Sequence, residues 1–303
     1  MTKTTYDVII VGGSYSGLSA AMSLGRALRQ VLVLDDGKPC NQQTPHSHNF
    51  LTHDGETPQH IAAIAREQVS RYETIRFYKG RATEAKKTAG NFEIKTDDGS
   101  VFTARRLLFA TGLKDNFPDN NGFAACWGIS VLHCPYCHGY EVKGQPTGII
   151  ANGDVAFHYA QLIFNWTKKL TIYTNGKSTL TEIQEQRIKS NSIAIIEKEI
   201  ASLEHEQGKL KKIVFQDQSS VPLQVVYFRP EFTQNCPLPE TLGCEINEIG
   251  LLKVDSSFKT TIEGVYASGD CCSMRTVSVA VATGTQAGAF INNDLVTEDF
   301  VKW

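Results

Sequence analysis

The sequence has no excess of charge, no long apolar run and no hydrolase motif. Thirty basic and thirty-two acidic residues leave a formal charge of −2, so the strongly basic face of a nucleic-acid-binding protein is not expected. No apolar run approaches the roughly 18 residues of a membrane-spanning helix, and no G-x-S-x-G nucleophile elbow is present. Nucleic-acid binding, membrane insertion and α/β-hydrolase chemistry are therefore disfavoured.

Cysteine is also too sparse to build a disulfide scaffold, with eight among 303 residues. The chain starts directly with a strand, without the basic segment and small-residue cleavage site of an export signal. We therefore expect a cytoplasmic protein with mostly reduced thiols. In such a protein a closely spaced cysteine pair indicates redox chemistry or a metal site.

What is present is an ordinary globular composition, with 41% hydrophobic and 20% charged residues. At about 150 residues per domain, the length predicts two domains. Apolar strands alternate with helices, which predicts an α/β fold with parallel sheets. We also expect hairpin-like segments over 194–199, 210–216 and 224–228, a linker over 229–239 and a terminal helix over 277–292.

The N-terminal segment is typical of a dinucleotide-binding βαβ unit. A strand over Asp7–Val11 is followed by the pattern G-x-S-x-x-G from Gly12 to Gly17, a helix, and a strand over Val31–Leu34. The glycines permit the tight turn, and the helix N-terminus can bind a pyrophosphate. Asp35 stands 18 residues beyond Gly17, close to the spacing of about 20 for a ribose-binding carboxylate. The segment therefore predicts a dinucleotide site.

The same pattern returns in weaker form from residue 148. A strand over Gly148–Ile150 leads into a loop with one glycine, Gly153, then into a helix and a strand that ends at Tyr173. The residues that follow supply neither an acidic residue for a ribose nor an arginine pair for a 2′-phosphate. This unit is either a nicotinamide-nucleotide site or a vestigial Rossmann unit, and both interpretations stay open.

The most specific motif is Cys134-Pro-Tyr-Cys137, which is followed directly by His138. It matches covalent haem attachment, but that chemistry belongs to exported proteins. Zinc would need about four ligands, and an incidental pair is the remaining alternative. Two thiols at this spacing can close a small disulfide, and the arrangement favours a thiolate near neutral pH. His138 is suited to move the proton of thiol exchange. The motif therefore predicts a redox-active disulfide and no metal.

These motifs, together with the strand ends Ala110–Gly112 and Gly269–Asp270, resemble the low-molecular-weight thioredoxin reductases over nearly the whole chain. The resemblance implies two Rossmann-like domains, the second inserted in the first. The FAD domain would comprise residues 1–114 and 241–303, and the NAD(P)H domain residues 115–240. It also implies a homodimer with the redox disulfide on the inserted domain.

The resemblance further assigns roles to individual residues. Cys137 would face the flavin, Cys134 would attack the outgoing disulfide, and Asp270 would bond the ribityl chain of FAD. An aspartate directly after the second cysteine is the catalytic acid of the family, and His138 stands in its place. The candidate cofactor-binding residues are Gly12, Gly13, Ser14, Tyr15, Ser16, Gly17, Asp35, Asp36, Asn41, Asn49, Ala82, Ala110, Thr111, Gly112, Gly269, Asp270, Arg275, Thr276, Val277 and Ser278, with Gly153 and Ala156 from the second loop.

The resulting prediction is an enzyme that passes electrons from NADPH or NADH through FAD to the Cys134–Cys137 disulfide and on to thioredoxin or a small disulfide. The segment from Cys134 to Glu141 is also similar to a branch that includes dithiol oxidases of antibiotic and toxin biosynthesis. A dithiol oxidase that uses oxygen, a flavoprotein with a vestigial NAD(P)H domain, and a flavin-containing sensor without turnover remain the alternatives. The full-length second βαβ unit favours reduction. His138, as a base for an incoming thiol, favours oxidation.

Overall fold

The structure is a computed structural model that describes residues 5–119 and 122–301. The chain divides into two compact units. The first unit comprises the described residues up to Gln42, Gln59–Lys114, and the chain from Phe232 onward. The second unit comprises Gln43–Pro58 and the described residues of Asp115–Glu231. Within the described ranges, no helix is both long and apolar enough to cross a membrane.

The elements are numbered in chain order. The strands of the described residues are β1 (Thr5–Val11), β2 (Val31–Asp35), β3 (Ile75–Lys79), β4 (Ala82–Thr88), β5 (Asn91–Thr96), β6 (Val101–Phe109), β7 (Leu113–Asn116), β8 (Val131–Leu132), β9 (Thr147–Ile150), β10 (Leu170–Tyr173), β11 (Ala194–Ile196), β12 (Ile200–Glu206), β13 (Lys209–Phe215), β14 (Ser220–Pro222), β15 (Val225–Phe228), β16 (Glu231–Gln234) and β17 (Val265–Ala267). The helices are α1 (Tyr15–Arg26), α2 (Pro58–Ser70), α3 (Phe123–Cys126), α4 (Pro135–His138), α5 (Gly153–Ile163), α6 (Glu182–Ser190), α7 (Leu238–Thr241) and α8 (Val277–Val301), with a 3-10 turn at Gly269–Cys271.

The first unit is built on a parallel sheet in the order β3-β2-β1-β6, with β17 also paired to β6. Ile9 and Ile10 of β1 are both fully buried, although successive side chains of a strand point to opposite faces. Both faces of the sheet are therefore covered, which is why these strands are continuously apolar. The predicted α/β class is confirmed. The antiparallel strands β5 and β4 extend the same sheet beyond β6.

Helix α8 packs closely against α1 because glycines face the contact. A Cβ on Gly284 would overlap the backbone carbonyl of Ser16, and one on Gly288 would lie 2.8 Å from the carbonyl oxygen of Ala20. The helix continues to Val301 rather than ending near 292 as predicted. Arg105 anchors its last turns through Asp299 at 2.6 Å. That ion pair joins residues far apart in sequence, so local patterning does not reveal it.

The second unit contains a five-stranded parallel sheet in the order β11-β10-β9-β15-β8. The expectation of hairpins is wrong for β11 and β15, which belong to this sheet. The hairpin of this region is formed by β12 and β13, and β14 pairs with β13. Burial explains the difference, because Val225 and Val226 are both buried in the middle of the sheet. The predicted linker over 229–239 contains the passage from the second unit to the first, between Glu231 and Phe232. It is structured, however, since it contains β16 and the start of α7.

Candidate functional site

The predicted cysteine pair is closed as a disulfide between Cys134 and Cys137, with Cα atoms 5.3 Å apart. Cys134 is the N-cap of the single-turn helix α4, and the backbone N–H of Cys137 donates to its Sγ at 3.2 Å. When the disulfide opens, this donor favours the thiolate form of Cys134. Cys134 is therefore equipped to act as the attacking or the leaving sulfur of thiol exchange.

The turn that carries the disulfide is anchored on Trp166. Gly139 packs so closely that an added Cβ would lie 2.9 Å from the Nε1 of Trp166, and its N–H donates to the carbonyl of buried Pro135 at 2.7 Å. The Tyr136 ring meets Trp166 edge-on at 5.5 Å between centroids. Tyr136 and Tyr140 are nevertheless mostly exposed. Trp166 thus fixes the turn, and two aromatic rings next to the disulfide in sequence are exposed to solvent.

His138 follows the disulfide and is held in its neutral form. Burial lowers its pKa from the ordinary value, the nearby His48 lowers it further, and the Glu141 carboxylate raises it. The rings of His48 and His138 meet edge-on with centroids 6.5 Å apart. A histidine with a lowered pKa is neutral at pH 7 and can accept a proton.

His48 comes from residues 43–58, which belong to the second unit although β2 and α2, on either side in sequence, belong to the first. This segment is fastened by Gln43, whose Nε2 donates to the carbonyl oxygens of Ala124 at 3.0 Å and Trp127 at 2.6 Å. Sequence reasoning missed His48 because a polar, proline-containing loop gives no signal of its tertiary partners. The predicted site residue Asn49 lies in the same segment, where its N–H donates to Asp54.

In the first unit, the predicted glycine loop lies at the C-terminal edge of the parallel sheet. Gly12 has a φ of 106°, and a Cβ there would overlap the carbonyl of Ala110 at the end of β6. The N–H of Gly13 donates to Oδ1 of Asp35 at 3.1 Å. A Cβ on Gly269 would lie 2.8 Å from the Cβ of Ser16. The structure therefore brings the three predicted strand ends and the loop together.

The residues of this edge fit FAD. Ser14, the N-cap of α1, makes no side-chain capping bond, and the first turn holds no acidic residue, which suits a pyrophosphate at the helix N-terminus. The Thr111 hydroxyl is buried without a hydrogen-bond partner among the described residues. A buried orphan hydroxyl is costly unless something else satisfies it, and a bound cofactor would do so.

Two other candidate residues of the first unit, Asn41 and Arg275, contact residues of this edge. The Asn41 amide lies 3.5 Å from the Tyr15 hydroxyl, and the Nε of Arg275 lies 4.0 Å from the Asp270 carboxylate. Ala82 is buried at the start of β4. The remaining candidates follow strand β2 or begin helix α8, and they are Asp36, Thr276, Val277 and Ser278.

The equivalent turn of the second unit is partly filled by the chain itself. Oδ1 of Asn152 accepts hydrogen bonds from the N–H of Gly153 at 2.9 Å and of Thr179 at 2.8 Å. The Thr179 hydroxyl would lie 2.9 Å from a Cβ on Gly153. Ala156 is fully buried inside α5. The βαβ frame for a nucleotide is complete, but the first helix amide is already engaged and the strand end lacks an ionic partner for a ribose or phosphate.

Two Rossmann-type units, one with a dinucleotide cradle and the other with a closed C-x-x-C disulfide, define a flavin-dependent disulfide oxidoreductase. The family described as pyridine nucleotide-disulphide oxidoreductase matches residues 6–284, and the chain belongs to it. The chain is 32% identical to thioredoxin reductase tcpT of Claviceps purpurea, over 98% of this chain and 96% of that protein. It is 30% identical to thioredoxin reductase aclD of Aspergillus oryzae over the full length of both.

A solved structure gives the same result. The oxidoreductase from Agrobacterium tumefaciens superposes with a TM-score of 0.90 and 36% identity, over 97% of this chain and 99% of that one. The chain is thus a thioredoxin reductase-like, FAD-dependent disulfide oxidoreductase, and its family implies NAD(P)H as the second cofactor. The predictions of family, fold and enzyme class are confirmed.

Proposed function

We propose that this enzyme uses NAD(P)H to reduce a thioredoxin-like protein or a small disulfide through the Cys134–Cys137 pair. The observation that carries the proposal is the closed pair itself, with the Cys137 N–H on Cys134 Sγ and neutral His138 next in sequence. When bound, FAD supplies the two-electron chemistry. The retained β9–α5–β10 unit supports nicotinamide as the electron source.

The exchange itself needs only residues of the chain. The Cys134 thiolate attacks one sulfur of the substrate disulfide and expels the other sulfur, which leaves as a thiol after taking a proton. Cys137 then attacks Cys134 in the mixed disulfide, the second substrate sulfur leaves as a thiol, and the internal disulfide closes. The cysteine pair loses two electrons and the substrate gains them. His138 accepts a cysteine proton and returns it to a departing sulfur.

A second candidate is a dithiol oxidase, which runs the same exchange in reverse and passes the electrons to oxygen. The Asn152 bond to the Gly153 amide favours it, because the amide that would meet a nicotinamide nucleotide is occupied. The neutral state of His138 also suits a base for an incoming thiol.

One pair of assays separates the two directions. A reductase consumes NADPH or NADH in the presence of oxidised thioredoxin or a small disulfide, whereas an oxidase takes up oxygen with a dithiol and no nicotinamide. We expect the first activity. Rapid oxygen uptake without any NAD(P)H consumption would overturn this choice, and inactivity in both assays would overturn the enzyme proposal.

We also propose the cofactor roles of the candidate residues given above, with residues 1–114 and 241–303 as the FAD domain and 115–240 as the NAD(P)H domain. The compact units differ from these bounds at two places, since Gln43–Pro58 belong to the second unit and the chain from Phe232 belongs to the first. A cytoplasmic homodimer is proposed with them, supported by the resemblance to low-molecular-weight thioredoxin reductases. Light scattering on the purified holoenzyme should give twice the mass of one chain.

The pH dependence of thiol exchange should report His138. Because burial and His48 lower its pKa, its base form persists below pH 6.5, and protonation should slow the reaction only at more acidic pH. We expect His138→Asn to lower the exchange rate near neutrality by roughly a hundredfold, the lower range for loss of a general base. The defect should shrink towards pH 9, where thiols ionise unaided. Stopped-flow rates across this range measure it, and a pH-independent defect would contradict the assignment.

A further inference from the structure

We propose that His48 is a positioning residue for proton transfer at the Cys134–Cys137 disulfide, because it links the His138 ring to the carboxylates of Asp54 and Glu141. The inference rests on the exchange chemistry proposed above and adds to it a residue from outside the cysteine motif. Nothing in the C-x-x-C pattern points to this residue, which lies more than 80 positions earlier in the chain.

His48 lies in a short row of titratable groups. Its Nε2 lies 3.6 Å from Oε1 of Glu141, and its Nδ1 lies 3.6 Å from Oδ1 of Asp54. On the other side its ring meets His138 edge-on. His46 is a further titratable neighbour, with its ring centroid 6.4 Å from that of His48. His48 is therefore placed between the histidine of the disulfide motif and two carboxylates.

The exposed fraction of the side chain increases along this row, from His48 to the two carboxylates. The side chain of His48 is 19% exposed, that of Glu141 40% and that of Asp54 68%. Desolvation is the largest cause that lowers the pKa of His138. Its charged form is therefore unfavourable, and a proton bound there must be passed on. A proton taken from a thiol by His138 can be passed towards His48 and then to the exposed carboxylates, which exchange it with water.

Two features fix His48 in this place. The carbonyl of Gly55 contacts Nδ1 of His46 at 2.9 Å, and the backbone of Ser47 is bonded to Glu56 and Gly55 at 2.8 and 2.9 Å. Asp54 is held in turn, since it accepts the Asn49 N–H at 2.7 Å. The residues on either side of His48 are thus tied to the facing part of their own loop, which limits the positions the ring can take.

The proton balance of the exchange explains why a row of proton-accepting groups is useful beside the disulfide. Closing the Cys134–Cys137 disulfide from two thiols releases two electrons and two protons, and opening it takes up the same number. His138 can hold one proton. Passing that proton towards His48 and its carboxylates leaves His138 able to accept the next one.

The test is the rate at which dithiothreitol opens the disulfide of the FAD-loaded enzyme, followed anaerobically by thiol titration from pH 5.5 to 9 without nicotinamide. We expect His48→Asn and His48→Gln to slow opening about tenfold near pH 7 and to move the acidic limb of the profile to higher pH. The limb moves upward because His48 is one of the causes that lower the pKa of His138. The defect should vanish towards pH 9.

His53→Asn is the matched control, since it removes a histidine of the same loop whose ring packs on Phe50 and keeps the His46 contact to Gly55. Retained flavin and an unchanged melting temperature establish that each variant is folded. Wild-type rates and limb position in both His48 variants would overturn the proposal. The same loss in His53→Asn would also overturn it, because loop integrity would then explain the effect.

These outcomes are separate from those of the proposed function. Opening of the disulfide by dithiothreitol requires neither NAD(P)H nor oxygen, so the comparison of variants stands whichever direction the enzyme runs. Inactivity of the wild-type enzyme in both turnover assays would defeat the proposed function alone. An unaltered pH profile in His48 variants of an active enzyme would defeat the present inference alone.

Discussion

Cys134→Ser is expected to abolish exchange with external disulfides, with turnover falling by about a thousandfold or more. The physical reason is that a serine hydroxyl is a far weaker nucleophile than a thiolate and cannot form a mixed disulfide. The Cys137 N–H that donates to Cys134 Sγ would then stabilise no sulfur anion. Reduction of the flavin by its electron donor should survive, because it does not require the sulfur of Cys134. Stopped-flow reduction and steady-state turnover together measure the two effects.

Two further variants make the comparison specific. Cys137→Ser should trap a stable mixed disulfide on Cys134, because the resolving thiol is missing, and mass spectrometry would detect the adduct. Cys40→Ser removes an exposed cysteine outside the disulfide and should leave turnover intact. Unchanged turnover in both Cys134→Ser and Cys137→Ser would contradict the redox role of the pair.

The first glycine loop illustrates what sequence patterning can predict. Gly12, Gly17 and Asp35 lie within one βαβ unit, so their spacing alone predicts their meeting at the sheet edge. The same holds for the C-x-x-C pair, whose four-residue span fixes its geometry. These features depend on residues that are close together in sequence, so the sequence pattern is enough to predict them.

Features that depend on distant partners were not predictable in this way. Strand β4 reads as a polar segment with two lysines, and it becomes a strand only because β5 pairs with it. Residues 43–58 read as a loop, and no pattern in them indicates that Gln43 binds the carbonyls near Trp127. His48 therefore reaches His138 through tertiary contacts that no periodicity encodes.

The two βαβ turns differ in a way that only side-chain geometry reveals. Both begin a helix directly after a parallel strand, and both carry a glycine with positive φ, Gly12 and Gly153. The N-cap of the first, Ser14, makes no side-chain capping bond, whereas Asn152 of the second caps the Gly153 amide. An amide that is already bonded offers less to a phosphate. The two cradles therefore differ in their readiness for a dinucleotide despite their common frame.

Gly12→Ala is expected to deprive the protein of FAD. A Cβ at this position would overlap the carbonyl of Ala110, and the φ of 106° is unfavourable for any residue with a side chain. Strain of about 1–3 kcal/mol is enough to weaken binding roughly tenfold to a hundredfold, since 1.4 kcal/mol corresponds to tenfold. The purified variant should be nearly colourless, and its flavin content after heat release measures the loss.

Gly37→Ala is the matched control, because Gly37 also has a positive φ, 77°, but an added Cβ meets nothing within 4 Å. Equal flavin loss in both variants would attribute the effect to turn strain and contradict the assignment of Gly12 to the FAD site.

Thr111→Val provides a second test of the FAD site in case the Gly12 variant does not fold. It replaces a buried hydroxyl that has no partner among the described residues, so the flavin-depleted protein should lose no stability. If that hydroxyl serves FAD, the same substitution weakens flavin binding, and full flavin affinity in Thr111→Val would remove Thr111 from the cofactor site.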